Sequence, residues 1–132
     1  MSTTIEHHVT MATEEDGWVD VCPLRRLLPE RGDAALVGGV QVALFRLHDG
    51  TVRAVGNRDP FSGANVLARG IVGTRDGTDV VASPLYKQHF DLWTGVCQED
   101  ADARIPVHEV RVVDGRVLVR LAPDTRPGAL PA

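Results

Sequence analysis

Two short segments in the middle of the chain carry the side chains whose types could do chemistry. Residues 59–64 read Asp-Pro-Phe-Ser-Gly-Ala, and residues 83–89 read Ser-Pro-Leu-Tyr-Lys-Gln-His. Asp59 and Tyr86 supply a carboxylate and a phenol, which are oxygen donors that ferric iron accepts. Two such donors leave most of a coordination sphere unfilled, so the pair does not favour a lone iron site.

The remaining reactive side chains do not form a recognisable set. Cys22 and Cys97 lie far apart and outside both segments, which excludes the usual spacing of a thiolate metal site. We interpret them as buried, small hydrophobic residues, free of a disulfide in a reducing compartment. His7 and His8 are interpreted as a solvated pair in the N-terminal segment. No motif places a Ser-His-Asp or Cys-His set, so a hydrolase finds little support.

The composition is that of one ordinary globular domain. The 132 residues are 43% hydrophobic and 24% charged, with a net charge of −4. The basic residues are scattered, which argues against a surface for nucleic acid or for an anionic membrane. No apolar run approaches the roughly 18 residues of a membrane helix, and the first residues do not resemble a signal peptide. We therefore expect a cytoplasmic protein.

The elements that must position the two segments are short strands. Turn dipeptides Gly38-Gly39, Asp49-Gly50 and Asp114-Gly115 separate stretches rich in apolar residues, and the last is typical of a type I′ hairpin. No stretch offers an amphipathic helix of three turns. The pattern predicts an all-β sandwich or barrel of short antiparallel strands. The domain is predicted to span residues 16–122, between a disordered tail (1–15) and a Pro-rich tail (123–132).

Residues 57–95 differ from this pattern. They contain two irregular stretches that bear Gly and Pro, residues 57–73 and 83–89. Long irregular loops in a small β-domain usually carry function.

Both stretches resemble the ligand loops of Rieske domains. Residues 59–64, with Gly70 beyond them, are similar to the first loop, Cys-Pro-His-x-Gly-Ala. Residues 83–95 are similar to the second, Cys-Pro-x-His-Gly-x-x-Phe-Asp-Leu-x-Thr-Gly, and share its Phe-Asp-Leu-x-Thr-Gly string. The resemblance spans residues 18–121. It implies a Rieske-type (ISP-like) β-fold with two loops equivalent to the cluster-binding loops.

The chain departs from that pattern at every ligand position. A Rieske cluster is held by two Cys thiolates and two His imidazoles. Asp59 and Ser83 occupy the Cys positions, whereas Phe61 and Tyr86 occupy the His positions. Phe61 has no donor atom, and a serine hydroxyl stays protonated where a thiol would ionise. We therefore expect no iron–sulfur cluster, no metal site and no catalytic residue on this chain.

The same four residues have a structural interpretation. Phe61 and Tyr86 are predicted to fill the volume that a cluster would occupy, since aromatic side chains bury large areas. Asp59 is predicted to accept hydrogen bonds from loop amides. An alternative for this carboxylate is an ion pair with a nearby basic residue: Arg58, Arg69 or Lys87.

A narrower resemblance links the chain to the small subunits of assimilatory NAD(P)H nitrite reductases. It rests on residues 57–64, on Arg-Gly-Ile-Val-Gly at 69–73, and on the string from Ser83 to Phe90. The resemblance implies a large-subunit partner that carries FAD, a [4Fe–4S] cluster and siroheme and reduces nitrite to ammonium with NAD(P)H. This chain would then be a non-redox subunit that docks on the large subunit and supports it.

Two alternatives remain beside this interpretation. They are a Rieske-type electron carrier with an unusual cluster and a stand-alone interaction module. If the loops dock, the residues expected at the docking surface are Arg58, Arg69, Leu85, Lys87, Gln88 and His89. A merely solvated loop surface explains the same residues equally well.

Overall fold

The computed structural model describes residues 15–125, which form nine strands and four short 3-10 turns. The all-β prediction is confirmed. Most of the two predicted tails, including His7 and His8, lies outside the described residues. The strands are β1 (Val19–Pro23), β2 (Gly32–Val37), β3 (Val40–Arg46), β4 (Val52–Gly56), β5 (Ile71–Arg75), β6 (Thr78–Ala82), β7 (His89–Asp91), β8 (Val107–Val113) and β9 (Arg116–Arg120). The 3-10 turns are Glu15–Gly17, Leu24–Arg26, Leu67–Arg69 and Pro123–Thr125.

The strands form two antiparallel sheets. Six pair in the order β1-β9-β8-β4-β3-β2, and the edge strands β1 and β2 approach each other, so this sheet curls toward a barrel. The other three pair in the order β5-β6-β7. None of the helical turns in residues 15–125 is long and apolar enough to cross a lipid bilayer.

The predicted turn dipeptides close hairpins. Gly38 and Gly39 join β2 to β3, and Asp114 and Gly115 join β8 to β9. All four have positive φ, as do the central residues of a type I′ turn.

Strand β3 is buried on both faces and separates two hydrophobic cores. Val42 and Leu44 point into the interior of the curled sheet, where they pack with residues of β1, β2 and β9. Ala43 and Phe45 point the other way, against a core that includes Phe90. Because successive side chains of a strand alternate in direction, β3 contributes side chains to both cores. The curled sheet and the small sheet therefore pack together through this strand.

The two candidate loops belong to one insertion. The chain leaves the six-stranded sheet at the end of β4 and returns to it at the start of β8, and these strands pair side by side through Val55 and Val107. Residues 57–106, between those points, form the small sheet and both loops.

Part of the region predicted to be irregular is regular. Strand β5 begins at Ile71, inside the stretch 57–73, and pairs with β6 across Asp76 and Gly77. Both turn residues have positive φ, at 54° and 77°. The Asp-Gly signal was therefore present in the sequence and marks a hairpin that the prediction lacked.

Candidate functional site

The first loop is folded tightly by its own backbone. The amide of Gly63 donates to the carbonyl of Asp59 (2.7 Å), and the amide of Asp59 donates to the carbonyl of Ala64 (2.8 Å). Asn57, only 3% exposed, accepts the Ala68 amide on its side-chain oxygen at 2.8 Å. These bonds hold the first loop independently of its contact with the second loop.

The second loop is closed around Ser83. The Ser83 amide donates to the Gln88 carbonyl (2.9 Å), and the Ser83 carbonyl accepts the amide of Lys87 (3.0 Å). Lys87 has a φ of 63°, a left-handed conformation that ends this turn.

A buried hydrogen bond joins the loops. The Ser83 hydroxyl donates to Oδ2 of Asp59 at 2.5 Å, and the two residues are 1% and 0% exposed. Oδ1 of Asp59 accepts the Phe61 amide (2.8 Å), and Oγ of Ser83 accepts the Leu85 amide (3.3 Å). We call Asp59 and Ser83 the inter-loop bridge. It lies at the two positions where the resemblance places cysteine.

The predicted role of Asp59 is confirmed in one part and wrong in the other. Its carboxylate does accept a loop amide. Its side-chain partner is Ser83 rather than Arg58, Arg69 or Lys87, and all three of these basic side chains are exposed. Burial favours the hydroxyl, because it is a small donor that can enter the interior without carrying a charge there.

The prediction that Phe61 and Tyr86 fill a buried volume is wrong. Phe61 is 37% exposed and Tyr86 is 59% exposed. The Phe61 ring lies 6.2 Å, between centroids, from Phe90, which is fully buried. The inter-loop bridge, rather than these two aromatic side chains, is the buried contact between the loops.

These residues do not fit an iron–sulfur cluster. The groups at the thiolate positions are committed to each other and to loop amides, and Phe61 offers no donor atom. Within residues 15–125, no group of three or more His, Cys, Asp or Glu side chains is placed to hold a metal ion.

A cluster of polar side chains holds the end of the second loop. Glu99 accepts hydrogen bonds from the backbone amide (2.8 Å) and the ring Nδ1 (2.7 Å) of His89, and it also pairs with Arg75. Partial burial of Glu99 opposes its ionisation, but these bonds outweigh it and lower the pKa of Glu99 from 4.5 to about 2. Sequence reasoning missed Glu99 and Arg75, since only the pairing of distant segments brings them to His89.

The six predicted docking residues fall into two groups. Arg58, Arg69, Leu85 and Lys87 are exposed, as a docking surface requires. Gln88 and His89 are half-buried, and His89 is engaged by Glu99.

A cavity of about 350 Å³ opens beside the first loop, and no sequence motif predicts it. Two exposed arginines, Arg58 and Arg104, line it together with polar and apolar side chains. Arg104 lies just before β8, so its position beside the loop depends on the return of the chain to the six-stranded sheet. The other lining residues are Val40, Gln41, Gly56, Asn57, Pro60, Asn65, Ile105 and Pro106.

The prediction that Cys22 and Cys97 are buried, without a disulfide, is confirmed: both are free and buried. Burial raises the pKa of the Cys22 thiol from 9.0 to about 11 and also raises that of Cys97. Both thiols therefore stay protonated near neutral pH.

Known proteins resemble this chain in sequence and in fold. The family model of the Rieske-like [2Fe-2S] domain matches residues 17–120. The nitrite reductase (NADH) small subunit of Escherichia coli (strain K12) is 45% identical over 104 residues, which cover 78% of this chain and 96% of that protein. The crystal structure of an NADH-dependent nitrite reductase small subunit from Mycobacterium tuberculosis has a TM-score of 0.76 and 51% identity, covering 80% of this chain and 96% of that one.

A third relative has a different organisation. In the nitrite reductase [NAD(P)H] large subunit of Klebsiella oxytoca, a segment is 38% identical to this chain over 102 residues. The match covers 77% of this chain but 11% of that protein. The Rieske-type fold predicted from the two loops is confirmed, and the chain belongs to the family of nitrite reductase small subunits, which is built on the Rieske-like [2Fe-2S] domain.

Proposed function

We propose that this chain is a non-redox small subunit of a cytoplasmic NAD(P)H nitrite reductase that reduces nitrite to ammonium. It docks on a large subunit that carries FAD, a [4Fe–4S] cluster and siroheme, and it supports that subunit without carrying electrons. The family membership supports the complex, and the two buried free thiols fit a reducing compartment.

The observation that carries the non-redox role is the inter-loop bridge. In a Rieske domain the cluster ties the two loops together, and here a hydrogen bond between Asp59 and Ser83 performs that mechanical task. Electron transfer needs a redox group, and the side chains at the ligand positions are ones that bind each other or face solvent. The electrons for nitrite reduction would therefore pass through cofactors of the large subunit alone.

The relative from Klebsiella oxytoca supports docking. A segment similar to this chain makes up a small part of a protein named as a large subunit. A domain that one protein carries within the same polypeptide and another carries as a separate chain is expected to bind the same neighbour in both. We infer that the separate chain binds the large subunit by noncovalent contacts.

The test is anaerobic co-expression of this chain with its large subunit, followed by purification through a tag on this chain. We expect the pair to co-purify, and we expect this chain, purified alone, to be colourless and free of iron and acid-labile sulfide. Stoichiometric iron and sulfide in the separate chain would overturn the non-redox role. Failure to co-purify, with nitrite-dependent NAD(P)H oxidation unchanged when this chain is deleted, would overturn the subunit assignment.

A further inference from the structure

We propose that the large subunit binds the face formed by the two vestigial ligand loops, through an apolar contact at the loop tips and a carboxylate seated in the arginine-lined cavity. This inference rests on the proposed function and specifies which surface of this chain performs it. We call this surface the loop face: Phe61, Leu85 and Tyr86 with the cavity between Arg58 and Arg104.

The apolar part consists of large side chains that the fold leaves in solvent. Phe61, Leu85 and Tyr86 are 37%, 50% and 59% exposed. The amides of Phe61 and Leu85 bond to the two side chains of the inter-loop bridge, so both residues lie at the same end of the molecule. Exposed apolar groups held on a rigid support are typical of binding surfaces, since little order must be gained on association.

The charge of the loops differs in sign from that of the whole chain. The chain carries a net charge of −4. The loop segments 57–70 and 83–88 contain three basic residues, Arg58, Arg69 and Lys87, and a single acid, Asp59, which is buried in the inter-loop bridge. The exposed charge of the loops is therefore entirely positive, and the complementary partner surface is acidic.

The lining of the cavity indicates which acidic group of the partner surface would fit there. Arg58 and Arg104 line it, and within the described residues neither guanidinium has a carboxylate partner. Apolar walls from Pro60 and Ile105 lower the local dielectric. A guanidinium binds a carboxylate with two parallel hydrogen bonds, so an Asp or Glu side chain of the large subunit is the occupant that this site fits.

The other exposed apolar side chains have different surroundings. Ile71 is 77% exposed and pairs with Ala82 beside the second loop, so it borders the loop face, whereas Val112, 44% exposed, lies on β8 outside residues 57–106. Trp93 is 49% exposed, and one face of its ring is covered by Arg53, whose guanidinium lies 4.0 Å from the ring centroid. Two other arginine-lined cavities in the described residues also contain acidic side chains, Glu30 in one and Asp20 and Asp114 in the other, whereas the cavity of the loop face has none.

The experiment measures the affinity of variants of this chain for the cofactor-loaded large subunit. One variant carries L85S and Y86S, and a second carries R58E and R104E. Controls are V112S, an exposed apolar residue near the β8–β9 hairpin, and R25E, an exposed arginine outside the loops. All of these side chains are exposed, so thermal melts of the separate chains should stay near that of the wild type.

We expect each loop-face variant to weaken binding by about tenfold or more and each control by less than about twofold. Binding of the wild type should weaken as ionic strength rises from about 0.05 M to about 0.5 M, and the R58E/R104E variant should lose that dependence.

The outcomes separate the two proposals. If the wild-type chain does not bind the large subunit, the proposed function fails. If the wild type binds and the loop-face variants bind equally well, the docking face is wrong while the proposed function stands. Loss of binding in V112S or R25E, with binding of the loop-face variants intact, would place the interface on another surface and overturn the inference.

Discussion

At the scale of single residues, the chain shows how a metal site can be replaced by a hydrogen bond. The substitutions at the four ligand positions were readable from the sequence, because they fall at fixed places in two recognisable strings. That Asp59 and Ser83 bind each other was not readable, because the two loops meet only in the folded molecule. The outward orientation of Phe61 and Tyr86 was missed for the same reason.

The inter-loop bridge should contribute measurably to stability. We expect D59A and S83A each to lower the free energy of unfolding by about 2 kcal/mol, since each leaves buried polar groups without a partner. The double variant should lose less than the sum of the two, with a coupling of about 1–2 kcal/mol in urea titrations. Additive losses would show that the 2.5 Å contact carries no stability of its own.

His108 should make the stability depend on pH. It is 1% exposed, and burial lowers its pKa from 6.5 to about 4. Its Nδ1 accepts the amide of Ala122 at 2.9 Å, which requires a neutral ring. The unfolded chain binds a proton below about pH 6.5 and the folded chain does not, so stability falls as pH drops from 6.5 to 4, by about 3 kcal/mol.

Thermal melts across this pH range test the expectation for His108. A variant with H108Q should have a flatter profile between pH 6.5 and 4, even though it is less stable at pH 7. Glu99 affects stability mainly at lower pH than His108. Because its pKa is lowered from 4.5 to about 2, protonation of its carboxylate weakens the native state between pH 4.5 and about 2. An unchanged slope in H108Q would assign the pH dependence to other groups.

At the scale of elements, the short strands and their turns were largely predictable. The residues of Asp-Gly and Gly-Gly dipeptides adopt positive φ at a low cost in conformational energy. Where such dipeptides stand between apolar stretches, they therefore indicate hairpins. The hairpin of β5 and β6 was missed because the stretch before it was interpreted only as a loop. The pairing of β4 with β8, and with it the cavity, had no local signal, since it joins residues far apart in the chain.

Gly95, the glycine that ends residues 83–95, should not tolerate a side chain. Its φ is 80°, and a Cβ added there would lie 2.1 Å from the carbonyl oxygen of Ile105. We expect G95A to destabilise the protein by about 2 kcal/mol or more, through left-handed strain and this overlap. The control is G73A, where an added Cβ meets nothing within 4 Å and φ is not positive. Chemical denaturation should leave G73A close to the wild type, and equal stability of the two variants would refute the steric argument.

At the scale of the whole molecule, the Rieske-type scaffold persists with other groups at its ligand positions. The backbone of both loops is held by Asn57, by the small sheet and by the hydrophobic core around Phe90. The thiolate positions are buried side by side, and the imidazole positions are at the surface. The scaffold thus keeps the two thiolate positions in the interior and the two imidazole positions at the surface.

Restoring the ligands should restore cluster binding. We expect the variant with D59C, F61H, S83C and Y86H, treated anaerobically with ferrous iron and sulfide, to gain visible absorbance and about two irons per chain. The matched control retains Ser83 and carries the other three substitutions, and it should remain colourless. A fourfold variant that folds but binds no iron would show that the loop backbones no longer have ligand geometry.

The side-by-side pairing of β4 with β8 makes residues 57–106 a cassette with adjoining entry and exit points. A change inside such a cassette need not propagate into the curled sheet, whose interior core is built from residues outside it. Evolution can therefore change the groups at the ligand positions while the interior of the curled sheet keeps its own sequence constraints. Because Ala43 and Phe45 of β3 pack against the cassette, a graft between relatives would have to preserve these two side chains.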